Sequence, residues 1–261
     1  MKNKKINCLE LNKKVIKRVI SALLLIVFIF SMYQVANIIT SRIRANQLQE
    51  ELVNLTDIEK SLHEYSGEEF INANFTRLLK INPDTVGWIV FNQINFPIVQ
   101  GPDNDFYLNR SFDRRRNVYG SIFMDFRNNA FEDRNTVIYG HNVTSSRNKF
   151  GSLRVLLQNN YFEEDGTDII RISTPTVNFN YQIFSVYTIE TENYYITPRF
   201  NDGEFRRFLN TIIRRSNRDF GVEVDIDDRI LTLSTCHGGQ GTSRRLVVHA
   251  KLIATQIRET H

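Results

Sequence analysis

Residues 232–252 read TLSTCHGGQGTSRRLVVHAKL. A β-branched run ends in a cysteine, a glycine-rich loop follows, and a second β-type run begins behind two arginines. That is the pattern of a strand, a loop and a returning strand. Along ILTLSTC, residues 230–236, alternation puts Thr232, Ser234 and Cys236 on one face and Leu231, Leu233 and Thr235 on the other. The thiol therefore shares its side with two hydroxyls. On RLVVHAKL, residues 245–252, Arg245, Val247, His249 and Lys251 share one parity. If the two strands pair as a hairpin, Arg245 lies opposite the thiol's end of its strand.

Similar runs recur upstream: WIVF, FPIV, SIFM, TVIYG, DIIRIS and FNYQIFSVYTI, which with RILTLST and RLVVHAKL make eight. Pro-Asp, Asp-Gly and Asn-Asp clusters separate them. Eight strands at irregular spacing predict a mainly β protein, a closed or nearly closed antiparallel barrel that leaves few sticky edges. Within residues 198–228, DGEFRRFLNTIIRR sets Phe205, Phe208, Leu209, Ile212 and Ile213 on one helical face, so a helix is inserted before the cysteine strand. Ahead of the strands, Leu48, Leu52, Leu55, Ile58, Leu62 and Tyr65 recur at three- and four-residue steps. They predict a helix over 41–65, and a second, short helix is expected over 68–81, ending before Pro83.

The N-terminus changes the meaning of the composition. The chain of 261 residues carries a formal charge of +4, but residues 1–18 hold seven Lys or Arg against one Glu, so the remainder is slightly negative. A basic tail of this kind does not make a nucleic-acid-binding body. Residues 19–39, VISALLLIVFIFSMYQVANII, are apolar and at ~1.5 Å per residue span the ~30 Å hydrocarbon core of a bilayer. No A-x-A cleavage site follows, which favours a retained anchor over a signal peptide. The positive flank precedes the span, so the N-terminus is expected in the cytoplasm and the C-terminal body outside. The expected organisation is a cytoplasmic tail at 1–18, a signal anchor at 19–39, a helical spacer at 40–82 and a β-barrel domain at 83–261.

With this topology the two cysteines, Cys8 and Cys236, lie on opposite sides of a membrane and cannot pair. A lone exported thiol is either a buried small hydrophobe or a nucleophile. A nucleophile needs help, because at a pKa near 8.5 only ~3% is thiolate at neutral pH. Arg245 is the cation on offer, and a guanidinium there is suited to holding a developing oxyanion. Among the histidines, His261 is terminal, His63 lies in the helical stripe, His237 points away from its neighbour Cys236, and His249 in mid-strand reads as structural. His141 remains, where the chain leaves the strand TVIYG, with Gly140 before it permitting an unusual backbone angle. There are no clustered metal ligands, and the acidic run EVDIDD reads as a solvated strand end and turn.

Taken together, TLSTC at 232–236, RLVVHAKL at 245–252, VIYGHN at 137–142, GSIFMDFRN at 120–128 and GWIVFNQINFPIVQGPDNDFYL at 87–108 resemble the sortases, and most closely class B. The resemblance implies an eight-stranded sortase-type β-barrel with N-terminal helices and a helix inserted before the cysteine strand. It implies a membrane-anchored cysteine transpeptidase with Cys236 as nucleophile, His141 as general acid or base and Arg245 binding substrate and oxyanion. By the same resemblance Asn104, Leu108, Tyr139, Tyr195, Ile196 and Ser234 line the groove for a sorting signal. The implied partners are surface proteins with an NPQTN-like C-terminal signal and an amine of the peptidoglycan precursor, joined through a thioester on the enzyme with no metal or organic cofactor. One departure is visible: class B members often carry an acidic residue shortly after the cysteine, and here the loop reads His-Gly-Gly-Gln-Gly. An extracellular cysteine protease would use the same three residues, and a non-catalytic surface adhesion module would need none of them.

Overall fold

The computed structural model describes residues 2–56, 69–142, 149–158, 168–236 and 243–258. The side chains of residues 2–14 and of Cys236 lie outside that description, as do the end of the helix expected over 41–65, the glycine-rich loop with His237, and His63 and His261. The chain divides into two compact units, Met1–Arg44 and Ala45–His261.

Helix α1, Lys2–Leu55, makes up the first unit and continues into the second. It is long and apolar enough to cross a membrane by length and composition. Within it every residue from Leu23 to Phe30 is at least 57% exposed, so the helix is apolar all round and has no polar face there.

The second unit is built on eight strands: β1 (Thr85–Phe91), β2 (Ile94–Gln100), β3 (Ile122–Met124), β4 (Asn135–Tyr139), β5 (Ile169–Ser173), β6 (Val177–Glu190), β7 (Ile230–Cys236) and β8 (Arg244–Ile257). They close in the order β1-β2-β3-β4-β7-β8-β6-β5. The barrel expected from the strand count is present, but it is not purely antiparallel. β2 pairs with β3, and β4 with β7, in parallel. Parallel neighbours require a long connection. Residues 101–121 supply one, and the path through β5, β6 and the inserted helix supplies the other.

The period-2 pattern sends alternate side chains inward, so Ile89, Ile98, Ile138, Leu231, Leu233 and Val248 fill the interior. The outer face of the barrel is also covered. Over β1–β3, Leu52, Ile71, Ala73 and Leu78 pack on Trp88, Val90 and Val99. The short helix there, α2 (Phe75–Ile81), begins seven residues later than its sequence suggested. Asn74 caps it by accepting from the Thr76 amide, while Ile71 and Ala73 are buried in the non-helical chain just before it. Tertiary burial has overridden local helix preference in that stretch.

Over β6, β7 and β8 lies α3, Asp202–Arg215, opened by a capping box between Asn201 and Glu204. Phe205, Phe208, Leu209 and Ile212 are buried against Phe184, Tyr187, Ile230 and Val247, each such burial worth ~2–3 kcal/mol relative to exposure. Ile213, expected on the same face, is 42% exposed at its edge.

Candidate active site

Strand direction assembles the site. Because β4 and β7 are parallel, both end at the same rim of the barrel, and because β7 and β8 are antiparallel, β8 begins there. Tyr139 at the end of β4 pairs with Ser234, and the ladder continues one step further, since the Gly140 amide donates to the Ser234 carbonyl at 3.2 Å. His141 follows Tyr139 by two residues, as Cys236 follows Ser234, so the chain delivers both to the same rim of the barrel from neighbouring strands. On the other side of β7, Cys236 pairs directly with Arg245. The hairpin register read from the sequence is the one found.

The imidazole of His141 sits in a tight seat. Its Nε2 lies 2.6 Å from the Leu108 carbonyl oxygen. A carbonyl only accepts, so Nε2 carries the proton and Nδ1 is the nitrogen left for exchange with other groups. Beneath the ring is Gly120, at φ +54°; a Cβ there would stand 2.3 Å from the Leu108 oxygen and 2.9 Å from His141 Cδ2. The buried ammonium of Lys149 donates to the carbonyls of Tyr119 and Gly120. Burial pushes Lys149 down to about 7. Burial also lowers the His141 pKa from its ordinary value; the Leu108 carbonyl opposes this shift and the charge of Lys149 adds to it. Gly140 plays a different part from the one its sequence suggested. Its φ is not positive, and what requires glycine is close approach, because a Cβ would lie 2.6 Å from the Phe150 ring.

A buried carboxylate ties other candidates together. Asp125, fully buried, accepts from Tyr139 Oη at 2.8 Å and from Asn104 Nδ2 at 3.1 Å. Arg127 meets it through Nε at 2.8 Å and Nη2 at 2.7 Å, and also donates to the Ile196 carbonyl at 2.8 Å. Burial alone would raise the Asp125 carboxyl, but Arg127, Tyr139 and Asn104 hold it below the usual carboxylate range. Burial and this carboxylate push the Tyr139 hydroxyl well up, which keeps it a donor. Tyr195 and Ser234 are 2% and 3% exposed, and their hydroxyls lie 3.2 Å apart. Leu108 is 36% exposed and supplies the backbone oxygen that holds His141.

The sortase domain profile matches residues 90–253. This chain belongs to the sortase family. It is 36% identical over 191 residues to sortase B of Staphylococcus aureus, covering 71% of this chain and 77% of that protein. To sortase B of Listeria monocytogenes it is 34% identical over 181 residues, covering 67% of this chain and 72% of that protein. Among solved structures, sortase B of Bacillus anthracis in complex with AAEK1 matches with a TM-score of 0.70 at 35% identity, covering 83% of this chain and 99% of that one. A Staphylococcus aureus sortase B–substrate complex matches with a TM-score of 0.67 at 35% identity, covering 82% and 96%. The class B assignment and the barrel with its added helices stand, and the chain is a cysteine transpeptidase of the kind that anchors surface proteins. The adhesion-module alternative falls.

In this sortase the sequence did not single out Asp125, Arg127, Gly120 or Lys149. Asp125 and Arg127 lie inside the quoted GSIFMDFRN, where an acid between Met124 and Phe126 in an apolar run is the one visible oddity. Lys149 carried no signal at all. The expectation that His249 is structural is met. It is fully buried, with Nε2 2.9 Å from Tyr187 Oη and Nδ1 2.8 Å from Thr232 Oγ1. Thr232 spends its own proton on Asn135 Oδ1 at 2.6 Å, so Nδ1 carries the imidazole proton and Nε2 accepts from tyrosine. Asn135 then donates to the carbonyls of Tyr195 and Thr197 at 3.2 and 2.9 Å. One ordered chain thus runs from β8 across β7 and β4 to the segment holding Tyr195.

Burial, with the nearby charge of Arg215, pushes the His249 pKa down to about 3. Its folded value lies below the ~6.5 of an unfolded chain, so the stability it supports is full above ~6.5 and drains as pH falls toward 3. Between pH 7 and 5 the sortase is expected to lose ~2 kcal/mol through this residue. Urea unfolding at the two pH values measures the loss, and His249→Gln should flatten it. An equal acid slope in the variant would assign the loss elsewhere.

Proposed function

We propose that this sortase captures the C-terminal sorting signal of a surface protein on Cys236 and passes it to an amine of a peptidoglycan precursor. The observation that carries the reading is the register at the barrel rim: Cys236 is directly across from Arg245, and His141 follows closely on the end of the parallel neighbour, whose last pair is Tyr139 with Ser234. In the first step the Cys236 thiolate attacks the scissile carbonyl, a C–S bond forms, and the oxyanion meets the Arg245 guanidinium. Collapse breaks the C–N bond while His141 gives its proton to the leaving amine, and a thioester remains. In the second step the acceptor amine attacks the thioester carbonyl, His141 takes up its proton, and the thiolate departs. Proton exchange runs through Nδ1, since Nε2 is committed to the Leu108 carbonyl. Residues 19–39 serve as the anchor, with the tail at 1–18 cytoplasmic, a spacer at 40–82 and the catalytic barrel at 83–261 on the outer side. The peptide lies along Asn104, Leu108, Tyr139 and Ile196, while Tyr195 and Ser234, expected in the groove but 2% and 3% exposed, back it from behind.

The test uses the full chain in detergent micelles, mixed with a peptide carrying Asn-Pro-Gln-Thr-Asn and followed by intact mass. An acyl adduct on Cys236, released faster when an amine is added, is the expected result. Release at a rate and to a product unaffected by amine would make the enzyme a cysteine protease. Absence of any adduct would overturn the peptide reading.

A further inference from the structure

The groove candidates come from three distant parts of the chain. Asn104 follows β2, Tyr139 ends β4 and Ile196 precedes α3. At its far end β4 is tied to the Ile196 segment through Asn135, whose amide donates to the Pro198 carbonyl at 3.2 Å and whose side chain donates to the carbonyls of Tyr195 and Thr197. At the Tyr139 end all three meet at the carboxylate of Asp125, which accepts five hydrogen bonds: three from Arg127 through its amide, Nε and Nη2, one from Tyr139 and one from Asn104. Asn104 is gripped at both ends, because its Oδ1 also accepts from the Phe126 amide at 3.1 Å. Arg127, 40% exposed at its side chain, reaches from the carboxylate to the Ile196 carbonyl, 69 residues away in sequence.

We propose that Asp125 is a positioning residue for peptide capture, a clamp that holds Asn104, Tyr139 and, through Arg127, Ile196 at the spacing the sorting peptide requires. The inference rests on the peptide-groove reading of those three residues. Burying a carboxylate is costly, and a buried ion pair gains little over well-packed apolar side chains. What such a group supplies is geometry, since each of its donors is fixed in direction as well as distance. Arg127 keeps the carboxylate ionised, and the Tyr139 hydroxyl, two residues before His141, is thereby held as a donor to it. The clamp does not touch the reacting atoms. Its loss is therefore expected to weaken capture of peptide and to leave the chemistry of captured peptide alone.

The experiment compares the full chain and Asp125→Asn in detergent, with the Asn-Pro-Gln-Thr-Asn peptide as probe. It reads KM, kcat, the rate at which iodoacetamide alkylates Cys236, and thermal stability. Asp125→Asn is expected to raise KM about tenfold, the worth of one hydrogen bond to a charged group, with kcat and alkylation within about twofold of the unaltered chain. Tyr139→Phe keeps the ring packed on Phe123 and removes a single spoke. It should raise KM about threefold alone and add nothing in the Asp125→Asn background, and it stands in if Asp125→Asn does not fold. Unchanged KM in the variants, or a rise in KM that comes with falls in kcat, alkylation and thermal stability together, would overturn the clamp. If the unaltered chain captures no peptide, the peptide reading fails and the clamp with it; capture with an unaltered KM in the variants removes the clamp alone.

Discussion

Cys236→Ala is expected to leave thioester formation and transpeptidation undetectable, a loss on the order of a millionfold in turnover when a nucleophile is removed from a working triad. His141→Ala should cost about 10²- to 10⁴-fold, the usual worth of a positioned acid–base group. Arg245→Ala should cost about 10²- to 10³-fold, or ~3–4 kcal/mol of transition-state stabilisation. The three differ in kind, so the pattern matters as much as the size. The alanine at 236 removes the adduct itself. The alanine at 141 is expected to slow both acylation and release, because one imidazole serves the leaving amine and the incoming one. Mass spectrometry of the adduct, and chromatography of the peptide product with amine present, measure these losses. Melting curves are expected to overlay, because Arg245 is at a strand start on the rim and His141 is just past a strand end. Near-normal turnover in any one variant would remove that residue from the mechanism.

Gly120→Ala is the second large effect, and it acts without altering any group that takes part in bond making. At φ +54° an L-residue is strained by ~1–2 kcal/mol. The new methyl would also stand 2.3 Å from the Leu108 oxygen, 2.7 Å from the Tyr107 oxygen and 2.9 Å from His141 Cδ2. None of these neighbours is the loose end of a flexible chain, so the backbone must move, at a further ~1–3 kcal/mol of overpacking. The oxygen displaced is the one that fixes His141 Nε2. A shift of ~1 Å in a proton-transfer group is enough to cost ~100-fold in rate. The expected outcome is therefore a drop of ~3–4 kcal/mol in stability by urea unfolding, and a fall of ~100-fold or more in kcat/KM at temperatures where the variant is still folded. Stability and turnover close to those of the unaltered chain would mean that the seat yields easily and does not position the imidazole.

Much of this enzyme was legible before any coordinates. The parity of ILTLSTC against RLVVHAKL, with the two runs paired as a hairpin, set Cys236 opposite Arg245, as the ladder has it; elimination among the histidines left His141 as the proposed acid–base group. The amphipathic face of DGEFRRFLNTIIRR marked α3 to within one residue of its buried set. Each of these is a local pattern of period 2 or 3.6, carried by neighbours along the chain. What failed to show was whatever depends on which strand lies beside which. The run of eight strands suggested an antiparallel barrel, yet the β4–β7 pair is parallel, and that one direction is what brings the chain leading into His141 to the rim where β7 ends. Likewise Glu69 to Asn74 looked like the start of a helix, and the burial of Ile71 and Ala73 decided otherwise.

The sequence by itself determined the strand set, the inserted helix, the apolar N-terminal segment and the chemical types on offer at the rim, because these follow from side-chain periodicity and from the pKa a lone thiol must overcome. Only the tertiary structure decided the seat of the imidazole and the Asp125 clamp. Both depend on a polar group reaching a partner tens of residues away, and no local pattern encodes that distance: Leu108 and His141 are 33 residues apart, and Arg127 and Ile196 are 69.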